Sequence, residues 1–187
     1  MPNNKRDHTA ALLERIGRLL TTEAHAEGLL PVQWEALRYF DRANRFSLTA
    51  AALTAYLGLT KGTVSQTLNT LEAKGLISKR VDSHDRRSKR LSLTARGRRL
   101  IEKDPLNATR DALSQLANQT QNELKASLET ILTARLVLQG RKAFGQCDNC
   151  RYFAAKHEQG TPHFCMLLKE PLTGSDSEAI CFEQEPV

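Results

Sequence analysis

The chain of 187 residues has no apolar run near the roughly eighteen residues that a membrane-spanning helix requires. Its first residues, Met1-Pro2-Asn3-Asn4-Lys5-Arg6, are not followed by the hydrophobic stretch of a signal peptide. Both absences argue for a cytoplasmic protein without a membrane partner. Aromatic residues make up only 5% of the sequence, with a single tryptophan, Trp34. Cysteine is missing from everything before residue 147, which confines any thiol chemistry to the end of the chain. Acidic side chains all but vanish between Lys79 and Arg99. Only Asp82 and Asp85 there oppose Lys79, Arg80, Arg86, Arg87, Lys89, Arg90, Arg96, Arg98 and Arg99. So one-sided a cluster is the electrostatic footprint of phosphate binding.

What is present divides the chain in two. The net charge is +6, but residues 1–144 hold 24 basic against 14 acidic residues, whereas residues 145–187 hold 3 against 7. The length is ample for one main domain with its own core plus an appendage.

Within the basic part, Thr60 offers a hydroxyl N-cap and Gly75 can take the left-handed conformation, so a helix is expected from Lys61 to Lys74. Val64, Leu68 and Leu71 form its apolar stripe, while Gly62, Gln66, Asn69 and Thr70 point away from it. That outward face is uncharged and rich in hydrogen-bonding groups. Amides such as Gln66 and Asn69 can pair bidentately with adenine in the major groove, and Gly62 lets the helix N-terminus, with Lys61 and Thr63, approach a phosphate. Ser65 and Thr67 sit on the flanks, within reach of phosphate. A solvated amphipathic helix would show the same polar-out pattern, so its surroundings decide.

Upstream, Ser47 to Leu57 reads as a short alanine-rich helix, and Gly58-Leu59-Thr60 has the length and glycine of a helix-turn-helix corner. Downstream, Leu76–Val81 and Lys89–Leu93 alternate apolar and polar residues about a turn-forming tip, Asp82 to Ser88. Helix, turn, helix and basic hairpin make a winged helix, with Arg86, Arg87, Lys89 and Arg90 at the hairpin as DNA contacts.

These residues resemble the MarR-type winged helix-turn-helix regulators over about residues 10–140. Leu59 to Leu68 followed by Leu71-Glu72-Ala73-Lys74-Gly75-Leu76-Ile77 is similar to the family's recognition helix and its exit into the wing. Asp85-Arg86-Arg87, then Leu91-Ser92-Leu93-Thr94-Ala95-Arg96-Gly97, resembles its wing signature. The resemblance implies that Asp85 orients Arg87 for entry into the minor groove, a role suited to a guanidinium steadied by a carboxylate. It also implies a homodimer on a near-palindromic operator in double-stranded DNA, with room for a small-molecule effector.

Apolar residues recur at helical spacing in Leu12, Ile16, Leu19 and Leu20, and again in Leu113, Leu116, Leu124, Leu128, Ile131 and Leu132. These faces need a partner, either within the monomer or in a second copy. Pro105 should interrupt the helical run, with a restart near Leu106. Pro31 opens a further helix carrying Val32, Trp34, Leu37, Tyr39 and Phe40. Trp34 is read as core, with effector stacking as the alternative.

The cysteines Cys147, Cys150, Cys165 and Cys181 fall within 35 residues, as Cys-x2-Cys followed by gaps of fourteen and fifteen. In a reducing cytosol a loop-rich segment with four clustered thiols reads as a metal site, against a reversible disulfide sensor or unliganded thiols. Four thiolates suit tetrahedral Zn2+ or an iron–sulfur cluster. The isolated third and fourth cysteines, with Tyr152, Phe153, Phe164 and Phe182 nearby, are similar in layout to high-potential iron–sulfur proteins, which favours [4Fe-4S]. With four sulfurs available, His157 and His163 read as spectators.

The expected architecture is mainly α with a small β-hairpin wing. Residues 1–30 form an N-terminal dimerisation helix, 31–104 the winged helix-turn-helix, 105–142 the C-terminal dimerisation helices and 143–187 the cysteine-rich extension. The expected activity is that of a non-enzymatic transcriptional regulator whose metal site senses redox or iron state. Two readings from other classes are weaker. A thiol redox enzyme at Cys147/Cys150 would need a helix N-terminus beside a βαβ pattern, which the sequence lacks. An adaptor would not need the arginine-rich wing.

Overall fold

The computed structural model describes residues 4–81, 89–157 and 162–186, and for residues 4–7 the backbone alone. Helix α1 (Asn4–Glu23) leads through Gly28, whose φ is 67°, to α2 (Pro31–Arg42). Then come α3 (Ala50–Leu57), α4 (Lys61–Ala73), the hairpin β1 (Ile77–Val81) and β2 (Lys89–Leu93), and α5 (Ala95–Ile101). The helices α6 (Asn107–Ser114) and α7 (Asn118–Leu138) follow, with the α5–α6 link at Pro105 as the proline requires.

Local chemistry sets most of these limits. Thr60 caps α4 by accepting from the Thr63 amide at 3.2 Å, and Gly75 closes it at φ 68°. Helix α3 starts three residues later than expected. Its cap is Thr49, which accepts from Ala52 N at 3.1 Å, whereas Ser47 is buried in the preceding loop. The wing signature also has a structural reason. Thr94 donates its hydroxyl to Gly75 O at 2.7 Å and accepts from Gly97 N at 3.0 Å, and a Cβ on Gly97 would lie 2.2 Å from the Leu76 carbonyl. Only glycine lets α5 pack that closely on the foot of the hairpin.

Trp34, Leu37 and Tyr39 of α2 are fully buried with Leu53, Val64, Leu71 and Leu91 in one core. Trp34 thus takes the packing role, and its indole N–H reaches Ala26 O at 3.3 Å. Beneath this core, Asp104 is buried and bound by Arg38 (2.6 Å) and Arg110 (3.1 Å), which ties α2 to the α5–α6 junction. Burial pushes its carboxyl upward, but the hydrogen bonds from Arg38 and the Leu106 amide outweigh that and hold it below the usual carboxylate range.

The last segment is more ordered than a loop-rich tail. Strand β3 (Gly145–Gln146) pairs with β7 (Ile180–Cys181), and β4 (Phe153–Ala155), β5 (His163–Cys165) and β6 (Glu170–Leu172) form a small antiparallel sheet before α8 (Gly174–Ser177). It does not extend away from α7. It folds back onto the winged helix: Ile180 enters the main core, and the rings of Tyr39, Tyr56, Phe144 and Phe182 form a chain with centroids 4.8–5.8 Å apart.

Candidate nucleic-acid interface and thiol centre

Helix α4 presents Lys61, Gly62, Thr63, Ser65, Gln66 and Asn69 to solvent, while Val64, Leu68 and Leu71 are buried. Two positions differ from expectation. Thr67 is buried against the core and offers nothing to phosphate. Thr70 is half-buried, and its hydroxyl donates to Gln66 O at 3.0 Å within the helix. Asn69 accepts from Lys79 Nζ at 2.7 Å through Oδ1, which fixes its amide so that the NH2 remains the group on offer. Lys79 also pairs with Glu72 at 2.8 Å, so its charge is partly neutralised. Between α3, α4 and the hairpin lies a cleft of about 550 Å³, bordered by Thr54, Lys61, Ser65, Asn69, Lys79 and Lys89.

At the wing, Lys89 is exposed, but Arg90 turns inward. Its Nη1 donates to Arg45 O at 2.9 Å, and its backbone bridges Thr49. Arg90 therefore braces the hairpin against the α2–α3 loop. The tip residues Asp85, Arg86 and Arg87 lie outside the described residues. At the other end of the helix-turn-helix, the Arg141 guanidinium donates to Tyr56 O at 2.9 Å and lies over Gly58, whose φ is 66°; a Cβ there would sit 2.2 Å from it. The positive φ favours glycine at the corner.

The tail brings the sulfurs of Cys147 and Cys181 together. Cys147 and Cys181 are buried in one cluster with Leu172, packed by Phe46, Phe153 and Cys165. A hydrogen bond between the two keeps the proton on Cys147, whose pKa burial raises further. The same bond draws Cys181 down to about 6 against burial, with help from Asn44, the Glu183 amide and Ser47. Donors surround the sulfurs: Asn44 Nδ2 reaches Cys147 Sγ at 3.2 Å and Leu168 N reaches Cys165 Sγ at 3.4 Å. Cys150 follows on the single turn Cys147–Asn149, its amide donating to Cys147 O at 3.0 Å. Among the described residues, no set of three or more His, Cys, Asp or Glu converges as an ion would require. All four cysteines are free thiols.

Of the aromatics expected to screen the sulfurs, Phe153 does so. Phe182 belongs to the ring chain of the main core, and Phe164 stacks on His157 at 4.7 Å. His163 packs on Phe153 at 4.8 Å, and its Nδ1 is buried without a hydrogen-bond partner among the described residues. Sequence reasoning missed Asn44, Phe46 and Ser47, since a contact across a hundred residues leaves no local pattern.

Helix, corner, helix and hairpin define a winged helix-turn-helix protein. Residues 27–88, the segment carrying this site, match the model of the MarR family. MepR of S. aureus in its DNA-binding conformation is 28% identical over 67% of this chain and 97% of its own, with a TM-score of 0.59. The MepR–DNA complex gives 28% identity, coverages of 67% and 96%, and a TM-score of 0.53. A MarR transcriptional regulator from Methanosarcina mazei Go1, 23% identical over 73% of this chain and 99% of its own, shares the fold with a TM-score of 0.56. No curated protein matches the chain.

Proposed function

We propose that this protein is a MarR-type, sequence-specific DNA-binding transcriptional regulator that acts as a homodimer and carries a four-thiolate metal centre in its tail. The observation that carries the DNA reading is the outward face of α4, exposed at Lys61, Gly62, Thr63, Ser65, Gln66 and Asn69 and uncharged beyond Lys61, set beside a basic hairpin. Gln66 and the Asn69 amide read bases in the major groove, and Lys61, Thr63, Ser65 and Lys89 hold phosphates. Dimerisation is supported by α7, whose 21 residues include none that is buried, and by exposed Leu12, Ile16 and Leu19 on α1. A cavity of about 250 Å³ between α1, α2 and the α5–α6 junction, bordered by Leu20, Arg38 and Leu106, is where a small-molecule effector fits.

The metal reading is supported by the donor set: four soft sulfurs, with N–H groups aimed at two of them. Cys147, Cys150, Cys165 and Cys181 would hold the group. A [4Fe-4S] cluster would supply one-electron redox chemistry, and Zn2+ would supply only cross-linking. Close approach of Cys147 and Cys181 favours a second reading, reversible disulfide formation between them.

Mobility-shift assays with a duplex selected by the wild-type protein test the DNA reading. Arg87→Ala and Gln66→Ala should each weaken binding, and Arg87→Ala should also flatten the salt dependence by about one phosphate contact. Undiminished binding in both variants refutes it. Iron, zinc and sulfide per chain in protein purified without oxygen decide the centre, about four irons marking the cluster and about one zinc a structural site.

A further inference from the structure

The one-sided cluster of cations does not end at the wing. Arg96, Arg98 and Arg99 belong to it, yet they lie past the hairpin on α5, away from the outward face of α4. Arg96 and Arg99 stand one helical turn apart, and Lys103 follows a turn later just beyond the helix, so the three line one side of a cavity of about 390 Å³. Lys74, the C-cap of α4, closes the other side. Leu29 and Leu76, both buried, and the half-buried Leu100 make an apolar floor. We propose that this cavity binds a small phosphorylated organic molecule, with its phosphate among the cations and its carbon body on the leucines.

The cations lack the carboxylate partners that other charges of this chain have. Arg38 and Arg110 share Asp104, Lys79 takes Glu72, and Arg18 takes Glu14. Among the described residues, Arg96, Arg99 and Lys103 form no ion pair, not even with Glu27, the one carboxylate on the cavity's rim. Like charges a turn apart repel, and a phosphate removes that cost by accepting from both guanidiniums at once. The walls are also set in place. Lys74 Nζ donates to Gly28 O at 2.8 Å, which ties the end of α4 to the turn before α2 and leaves the ammonium further N–H groups to offer. In that turn Glu27 holds φ 53° and Gly28 φ 67°. A left-handed backbone at a residue with a Cβ costs energy, and such residues cluster at ligand clamps. The leucine floor asks for more than a bare anion, since an apolar body there leaves water while the phosphate stays paired. The cavity shares no lining residue with the cleft at the DNA-reading face or with the cavity beside α1.

The test titrates the full-length protein with phenyl phosphate and with inorganic phosphate, and reads leucine methyl signals by NMR. Phenyl phosphate should shift the Leu29, Leu76 and Leu100 methyls saturably and bind about tenfold tighter than inorganic phosphate, because only the ester covers the floor. Arg96→Ala and Arg99→Ala should each weaken it about fivefold, the loss of one charge-assisted contact discounted for solvent. Arg98→Ala removes the same charge from another face of α5 and should leave binding unchanged. Three results overturn the proposal: no saturable shift, equal affinity for the two phosphates, or equal losses in all three variants, which mark a general effect of net charge. The variants are also compared on a wild-type-selected duplex. A loss of duplex affinity larger in Arg96→Ala and Arg99→Ala than in Arg98→Ala assigns these cations to the DNA backbone and overturns the proposal as well. If the variants do not fold, the wild-type titration decides alone. Shifts centred on Leu76 and Leu100 support the site, and shifts centred elsewhere overturn it.

Discussion

Helix α4 buries four of its 13 residues against its own chain, whereas α7 buries none of its 21. Both carry apolar residues at helical spacing, yet the Leu71 side chain is fully enclosed while Leu132 is 58% and Leu138 78% exposed. The contrast separates two kinds of stability. The winged helix is closed by contacts within one chain, whereas the arm formed by α6 and α7 leaves its apolar residues exposed. Mutations in the first should register in unfolding experiments, and mutations in the second in association.

The largest effect should come from Asp104→Ala, which leaves Arg38 and Arg110 without their shared buried partner. It should cost about 3–5 kcal/mol by chemical denaturation. Because the native carboxyl titrates below its unfolded value, its contribution is present above about pH 4 and disappears as pH falls through the native pKa. The gap between wild type and Asp104→Asn should therefore narrow in acid, and a gap independent of pH would refute the ion-pair account.

Leu71→Ala comes next, at about 2–5 kcal/mol, because a fully enclosed leucine leaves a cavity when truncated. Ile131→Glu on the exposed face of α7 should change monomer stability by only about 0.5 kcal/mol. It should nonetheless weaken dimerisation by more than about 1 kcal/mol for each copy, read by sedimentation, since a two-fold interface presents the charge twice. A dimer unaffected by Ile131→Glu would move the interface away from α7. Smallest is Thr60→Ala, about 1 kcal/mol from one lost helix cap, measured by thermal unfolding.

The same contrast explains what the sequence disclosed. Thr60, Gly75 and the alternating runs of the hairpin were legible because caps, glycines and strand periods act over a few residues. Helix α3 begins at Ala50 behind its Thr49 cap rather than at Ser47, because Ser47 is held in the loop by tertiary bonds, its carbonyl accepting from the Tyr39 hydroxyl at 2.8 Å and its Oγ from Phe182 N. Arg90 read as a DNA contact from charge alone, but the carbonyl that claims it belongs to Arg45, far along the chain. For the tail, cysteine spacing marked the thiols but gave no sign that Asn44, Phe46 and Ser47 would complete their surroundings.

Ile180 and Phe182 lie nearly ninety positions beyond the last strand of the hairpin, yet they complete the packing around Tyr39 and the 44–49 loop. During synthesis the DNA-reading lobe emerges long before these residues do. Closing so long a loop carries an entropic cost that slows the final step. A ribosome-bound chain stopped after α7 would thus hold a helix-turn-helix whose supporting loop is still loose, and that loop would tighten only once Ile180 and Phe182 had been made.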